Sequence, residues 1–209
     1  MQPRAREPVS RRGQAAARLA LSRAAIIEMG LRIADREGLG AVTMRRVAAG
    51  LDTSASALYV YFRSRGELLD AMFDHVMAPA AGADIPEGTW RERLAWLLIE
   101  SVRAASGHGG LAQVALTKVP DGPSARKATA RVRELLTEGQ IPEAAIPAAL
   151  DLLGLFVTAA ALDRVPAMVP AATQDRDRLR WEIEVILNGL AATGPPSGDG
   201  GHSSGPGSA

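Results

Sequence analysis

The chain has 209 residues, of which 47% are hydrophobic and 22% charged, with a formal net charge of +1. That suits one large or two small globular domains. The absence of cysteine excludes disulfides, thiolate chemistry and Cys-based zinc sites, and no secretory apolar stretch follows the first charges, so a cytoplasmic location is expected.

The near-neutral total hides an uneven distribution. Residues 1–23 carry Arg4, Arg6, Arg11, Arg12, Arg18 and Arg23 against the single acid Glu7. Residues 1–20 are expected to form a basic flexible arm, suited to phosphate contacts or a minor groove. A first domain is expected over 21–78. Within it, Thr43 to Arg65 spaces its residues as two short helices joined by a tight turn, the layout of a helix-turn-helix.

Thr43 is positioned to cap the first helix of this pair. Met44, Val47 and Ala48 give it a narrow apolar face, leaving Arg45 and Arg46 to point elsewhere. Gly50 and Leu51 end it. Asp52 and Thr53 form the turn, where Asp tolerates a left-handed backbone. The second helix is expected over Ser54 to Phe62, with Leu58 and Phe62 facing the core. Small residues at its front, Ser54, Ala55 and Ser56, allow close approach to base edges, and Ser, Thr and Tyr hydroxyls can meet phosphates or bases. Ser64 and Glu67 fit a capping box for a helix over Leu68 to Met77, and Pro79 to Pro86 reads as a linker.

The motifs Thr43-Met44-Arg45, Ala57-Leu58-Tyr59-Val60-Tyr61-Phe62, Arg65 and Glu67-Leu68-Leu69 stand in order after Gly38 to Gly40. In that order and spacing, residues 22–78 resemble the N-terminal domain of the tetracycline-repressor (TetR) family of bacterial transcription regulators. The turn departs from the family pattern, carrying Asp52-Thr53 where Gly-Val is usual. The resemblance implies phosphate contacts from Thr43, Tyr59, Tyr61 and Arg65, and base-facing positions at Arg45, Ala55 and Ser56, with Ser54 completing the DNA-binding set. It also implies a homodimer, double-stranded operator DNA and a small-molecule effector as partners.

A helical second domain is expected over 85–192. Its helices read as Thr89–Ser106, Leu111–Thr117, Ser124–Glu138, Glu143–Asp163 and Gln174–Ala191, each by apolar spacing and flanking Gly or Pro. The most apolar stretch, from Ala144 to Leu162, is interrupted by Pro147 and Asp151. It is expected to be a buried bundle helix rather than a membrane span. Residues 193–209 are Gly-, Pro- and Ser-rich and are expected to be disordered.

The last two helices have more apolar surface than one subunit needs. Ile146, Leu150, Leu153, Val157 and Ala160 make one stripe, with Leu152, Leu155 and Phe156 making another. Leu179, Ile183, Ile186 and Leu190 make a face on the final helix, with Val185 and Leu187 beside it. Burial on two sides suits a four-helix bundle across a two-fold axis. The expected interface set is Ile146, Leu150, Leu153, Val157, Leu179, Ile183, Ile186 and Leu190.

For the effector, Trp90, Trp96, Phe156 and Met168 offer apolar surface, with His108, Gln113 and Thr117 as polar contacts. This set contains no charged lining, so a strongly anionic ligand is disfavoured. Residues 110–164 resemble the ligand domain of the tetracycline-binding branch more weakly. Ala115 and Val119 stand before Pro120 where those relatives place a metal-contacting His and a neighbouring Arg, so magnesium–tetracycline is not expected. The three histidines, His75, His108 and His202, have no metal-ligand spacing. No nucleophile elbow, phosphate loop or dinucleotide fingerprint occurs. The expectation is therefore an all-α, cofactor-free and metal-free, non-enzymatic regulator. A helical interaction protein without DNA binding is the alternative.

Overall fold

The computed structural model describes residues 21–108, 110–117, 120–163 and 176–192. The basic arm, the C-terminal tail and Met168 lie outside the described residues. Among the described residues nine α-helices follow in order: α1 Arg23–Glu37, α2 Met44–Gly50, α3 Ala55–Leu58, α4 Arg65–Gly82, α5 Trp90–Ser106, α6 Ala112–Thr117, α7 Pro123–Glu138, α8 Ile146–Asp163 and α9 Arg176–Ala192. Short 3-10 turns occupy Leu39–Ala41 and Glu143–Ala145. There is no strand among the described residues, and the fold is all-α.

Each of the first four helices starts at a hydroxyl. Ser22 accepts from the Ala25 N–H, Thr43 from Arg46, Ser54 from Ala57 and Ser64 from Glu67, at 3.1 to 3.3 Å. Each satisfies one of the free donors of a helix N-terminus. The box expected at Ser64 is displaced, because the Glu67 carboxylate accepts from the Arg63 N–H at 2.7 Å. A complete capping box sits instead at Thr89 and Glu92, at the start of α5.

The first core gathers Ile26, Val42, Val47, Leu58, Phe62, Leu68 and Met72, all with essentially no exposure. It also draws in Leu111, Ala112 and Val114 around α6, and Ala161 from α8. The second core packs Leu94, Leu97 and Leu98 of α5 against Val132, Leu135 and Leu136 of α7, Ile146 and Leu153 of α8, and Ile183 and Leu187 of α9. α4 belongs to the first core and packs against α5 and α7. Its first half buries Leu68, Leu69, Met72 and Phe73 in the first core, while Ala80 and Ala81 are buried further along.

The linker expected over Pro79 to Pro86 is shorter, because α4 runs through Pro79 to Gly82 and only residues 83–89 connect it to α5. An interior proline removes one backbone hydrogen bond and crowds the preceding turn. The helix continues past it, and at its C-terminal end the Arg131 guanidinium of α7 donates to the Ala81 and Ala83 carbonyls, both at 2.8 Å. In return Asp74 of α4 accepts from the Ser124 N–H at 2.7 Å and from its hydroxyl at 3.2 Å. The Gly122 N-cap of α7 has no side chain to do this, and a Cβ there would lie 2.1 Å from Asp74 Oδ1. α4 and α7 thus cap one another.

α8 has the length and apolarity of a membrane span, with mean hydropathy 2.0 over Glu143–Leu162. Its inner side, Ile146, Ala149, Leu153, Ala160 and Ala161, is packed inside the protomer. Its other side carries exposed Asp151, Leu152 and Leu155.

Candidate nucleic-acid interface

The turn between α2 and α3 is built from backbone geometry. Asp52 takes φ 49°, in the left-handed region. The Thr53 N–H then reaches the Ala48 carbonyl at 3.0 Å and the Asp52 N–H reaches Ala49 at 3.4 Å, the pair of bonds of a Schellman ending. Asp is among the few non-glycine residues that accept this conformation. The departure from Gly-Val is therefore accommodated in place.

The helix expected over Ser54 to Phe62 is shorter. Regular α3 ends at Leu58 and a tight turn follows, with the Tyr61 and Phe62 N–H groups both directed to the Leu58 carbonyl. Phe62 is drawn fully into the core, and Arg23 closes over its ring at 4.2 Å while donating to the Tyr61 carbonyl at 2.8 Å. With Leu58 and Phe62 buried, Ser56, Tyr59, Val60 and Arg63 are side chains of this segment left exposed around them. Tyr59 is 54% exposed and Val60 83%.

Arg45 is exposed and makes no hydrogen bond or ion pair, and neither does the Arg63 guanidinium or the Tyr59 hydroxyl. Among the described residues these two cations and one hydroxyl are uncommitted, and Ser56 is exposed. Arg46 is different. It holds Glu37 through two contacts of 3.0 and 2.5 Å. That hydrogen bond holds the Glu37 carboxyl below its ordinary value and raises Arg46.

Other members of the expected DNA set are engaged internally. Tyr61 donates its hydroxyl to the Leu21 carbonyl at 2.8 Å, so that proton is not offered outward. Arg65 donates through Nε to Val42 O at 2.6 Å and through Nη2 to Leu39 O at 2.9 Å, closing the 3-10 turn onto α4. Of its five N–H groups, three remain for an outside partner. Thr43 and Ser54 are exposed but act first as caps, and Ala55 packs against the core. Arg63 and Val60 were not in the expected set. Their exposure around the buried Leu58 and Phe62 reveals them.

The expected effector set does not converge. Trp90 and His108 sit at opposite ends of α5, about 25 Å apart at 1.5 Å per residue. Trp90 lies across Gly139, where a Cβ would come within 2.6 Å of the indole. Trp96 and Phe156 pack against the second core. His108 Nδ1 instead meets Asp35 Oδ2 at 3.2 Å, linking the end of α5 to α1, while Gln113 is exposed. Thr117's side chain and Met168 lie outside the described residues. One buried charge was missed: Glu100, 8% exposed, is paired with Arg103 on its own helix and with Arg176 of α9 at 2.9 Å. Among the described residues, no three His, Asp or Glu side chains gather as a metal set.

The expected dimer set is corrected in its facing. Ile146, Leu153, Leu179 and Ile183 are 0 to 5% exposed within one protomer, with Leu150, Val157, Ile186 and Leu190 packed beside them. The interior of the subunit takes the wider stripe. The stripe left outside is Leu152, Leu155, Trp181 and Val185, 43 to 67% exposed.

Against known proteins, residues 26–72 match the family described as bacterial regulatory proteins, tetR family. The chain is 35% identical over 137 residues to the HTH-type transcriptional repressor DrrR1 of Streptomyces coeruleorubidus, a match covering 65% of this chain and 51% of that one. It thus spans about half the length of that curated relative. The structure is similar to apo ActR from Streptomyces coelicolor, with TM-score 0.70 and 31% identity over 82% of this chain and 95% of that one. ActR in complex with actinorhodin matches at TM-score 0.69 and 30% identity, over 82% and 97%.

Proposed function

Since the chain belongs to the tetR family of bacterial regulatory proteins, we propose that it is a ligand-responsive, DNA-binding transcription regulator. It acts as a homodimeric repressor and leaves a palindromic operator when a small apolar molecule binds. The observation that carries this is the outward face of Arg45, Ser56, Tyr59 and Arg63, whose cations and phenol are uncommitted while Leu58 and Phe62 fix the backbone beneath them. Arg45 is assigned to base edges, and Tyr59 and Arg63 to phosphates.

The homodimer rests on Leu152, Leu155, Trp181 and Val185, apolar side chains on α8 and α9 that the protomer leaves exposed. A second copy related by a two-fold axis buries both stripes at once. Ligand response is supported by likeness to ActR, solved with actinorhodin bound. The route to the reading heads runs through α4, packed against α5 and mutually capped with α7, and through the His108–Asp35 contact. A ligand favouring one arrangement of α4 shifts operator affinity by that preference, roughly 1–3 kcal/mol.

Selection of DNA from a random pool by the full chain tests this. An inverted repeat should be enriched. Arg45→Ala should weaken binding to it by roughly 1–3 kcal/mol and relax sequence preference. Enrichment of no sequence would refute the reading.

A further inference from the structure

Among the described residues Val60 is the most exposed of the exposed large hydrophobic side chains, at 83%. The others divide in two. Leu152, Leu155, Trp181 and Val185 lie on α8 and α9, where a second copy can cover them, and Tyr59 carries a hydroxyl suited to water or phosphate. Val60 has neither excuse. It stands on the reading side of the helix-turn-helix, four residues after Ser56 and three before the uncommitted guanidinium of Arg63. Its neighbours Leu58 and Phe62 are fully buried, so Val60 cannot turn inward without displacing the core. An exposed apolar branched group three residues before an unpaired guanidinium suits a surface that is anionic overall and apolar at one point. In a DNA major groove that point is the 5-methyl of thymine, which otherwise makes no hydrogen bond.

We propose that Val60 reads a thymine methyl in each operator half-site, making it a specificity-determining residue. This rests on the DNA-binding reading above. The tight turn after Leu58 serves the contact, since it ends the regular helix and aims Tyr59 and Val60 together from a backbone pinned at Phe62. A serine or asparagine at the same place would add a hydrogen-bonding group and read something else. Valine offers two methyls and no polar atom, so it favours the base bearing a methyl and disfavours cytosine, which lacks one.

The test uses the full chain and the operator enriched from the random pool. Each thymine is replaced singly by deoxyuridine, which removes the methyl and nothing else. The wild type should lose affinity about three- to fivefold at one position per half-site, the factor that burial of one methyl carries. Val60→Ala should bind the unmodified operator more weakly by a similar factor and show no further loss at that deoxyuridine. Its thermal midpoint should match the wild type, because the side chain packs against nothing. Three results would overturn the proposal: no thymine proves sensitive, the sensitive thymine stays equally sensitive in Val60→Ala, or Val60→Ala weakens every DNA sequence uniformly, as a sugar or phosphate contact would. Failure to enrich any operator would sink the DNA-binding reading itself, a different outcome from these.

Discussion

Residues 21–82 and the α8–α9 pair are both helical and apolar, but different forces determine which way their side chains face. In the first region each helix starts at a Ser or Thr cap, each turn has its own hydrogen bonds, and one side of each helix is polar. Local chemistry there decides orientation. In α8 both sides are apolar, so local chemistry permits either, and packing decides: the subunit interior takes Ile146, Leu153 and Ala160 and leaves Leu152 and Leu155 outside. A periodic stripe thus identifies a buried face only when its opposite is polar.

The sharpest way to break this comparison is a pair of substitutions two residues apart. Leu153→Asp should prevent folding, because it places an unpaired charge where exposure is 1%, a cost of several kcal/mol. Leu155→Asp, at 64% exposure, should leave each protomer folded and dissociate the dimer. Circular dichroism with sedimentation separates the two, and a Leu155→Asp protein that still sediments as a dimer would place the interface elsewhere.

A smaller effect is expected at the joint between the regions. Asp74→Ala removes the acceptor for the Ser124 N–H and hydroxyl, and should cost about 1–2 kcal/mol in denaturant unfolding. If the mutual capping carries the ligand signal, operator release should need more ligand in this variant. An unchanged ligand response would make the contact purely structural.

Much of the first region could be read in advance for this reason. Thr43, Ser54 and Ser64 were expected as helix starts, and Asp52 as a left-handed turn residue, since each depends on neighbours within a few positions. Tyr61 and Arg65 were not legible in the same way. Their hydroxyl and guanidinium reach Leu21, Leu39 and Val42, 23 to 40 residues away in sequence, and only the folded chain shows those carbonyls within range. Pro79 misled in the same sense. The helix runs on to Gly82, where Arg131, 50 residues away in sequence, holds the Ala81 carbonyl.

The turn offers a finer test. Asp52→Val should destabilise the first region by about 1–2 kcal/mol, since a β-branched residue resists positive φ. Asp52→Gly should be neutral or slightly stabilising. Equal effects from both would mean that the Asp52 side chain, not its backbone, shapes the turn.

The smallest effect concerns pH. The Arg46 hydrogen bond depresses the folded Glu37 carboxyl below its reference value of 4.5. Its contribution is therefore complete above that value and is lost as pH falls through the lower folded value. Glu37→Gln should flatten the acid limb of the melting-temperature profile slightly, leaving neutral pH nearly unchanged. An acid limb identical to the wild type would show that the exposed pair contributes nothing, as many such pairs do.

The packing of α4 against α5 and α7 bears on how this chain can be re-engineered. A reading head is often treated as a cassette, to be grafted onto a different sensor by cutting between modules. Here a cut at residue 78 falls inside α4, which runs on to Gly82 and whose end is sealed by Arg131 of α7. A chimaera joined at residue 78 would inherit half a helix with foreign walls. One that transplants α4 together with the α7 positions facing it, Ser124 and Arg131, keeps the joint whole. Heating should accordingly give one melting transition for the intact chain and two for the ill-cut graft.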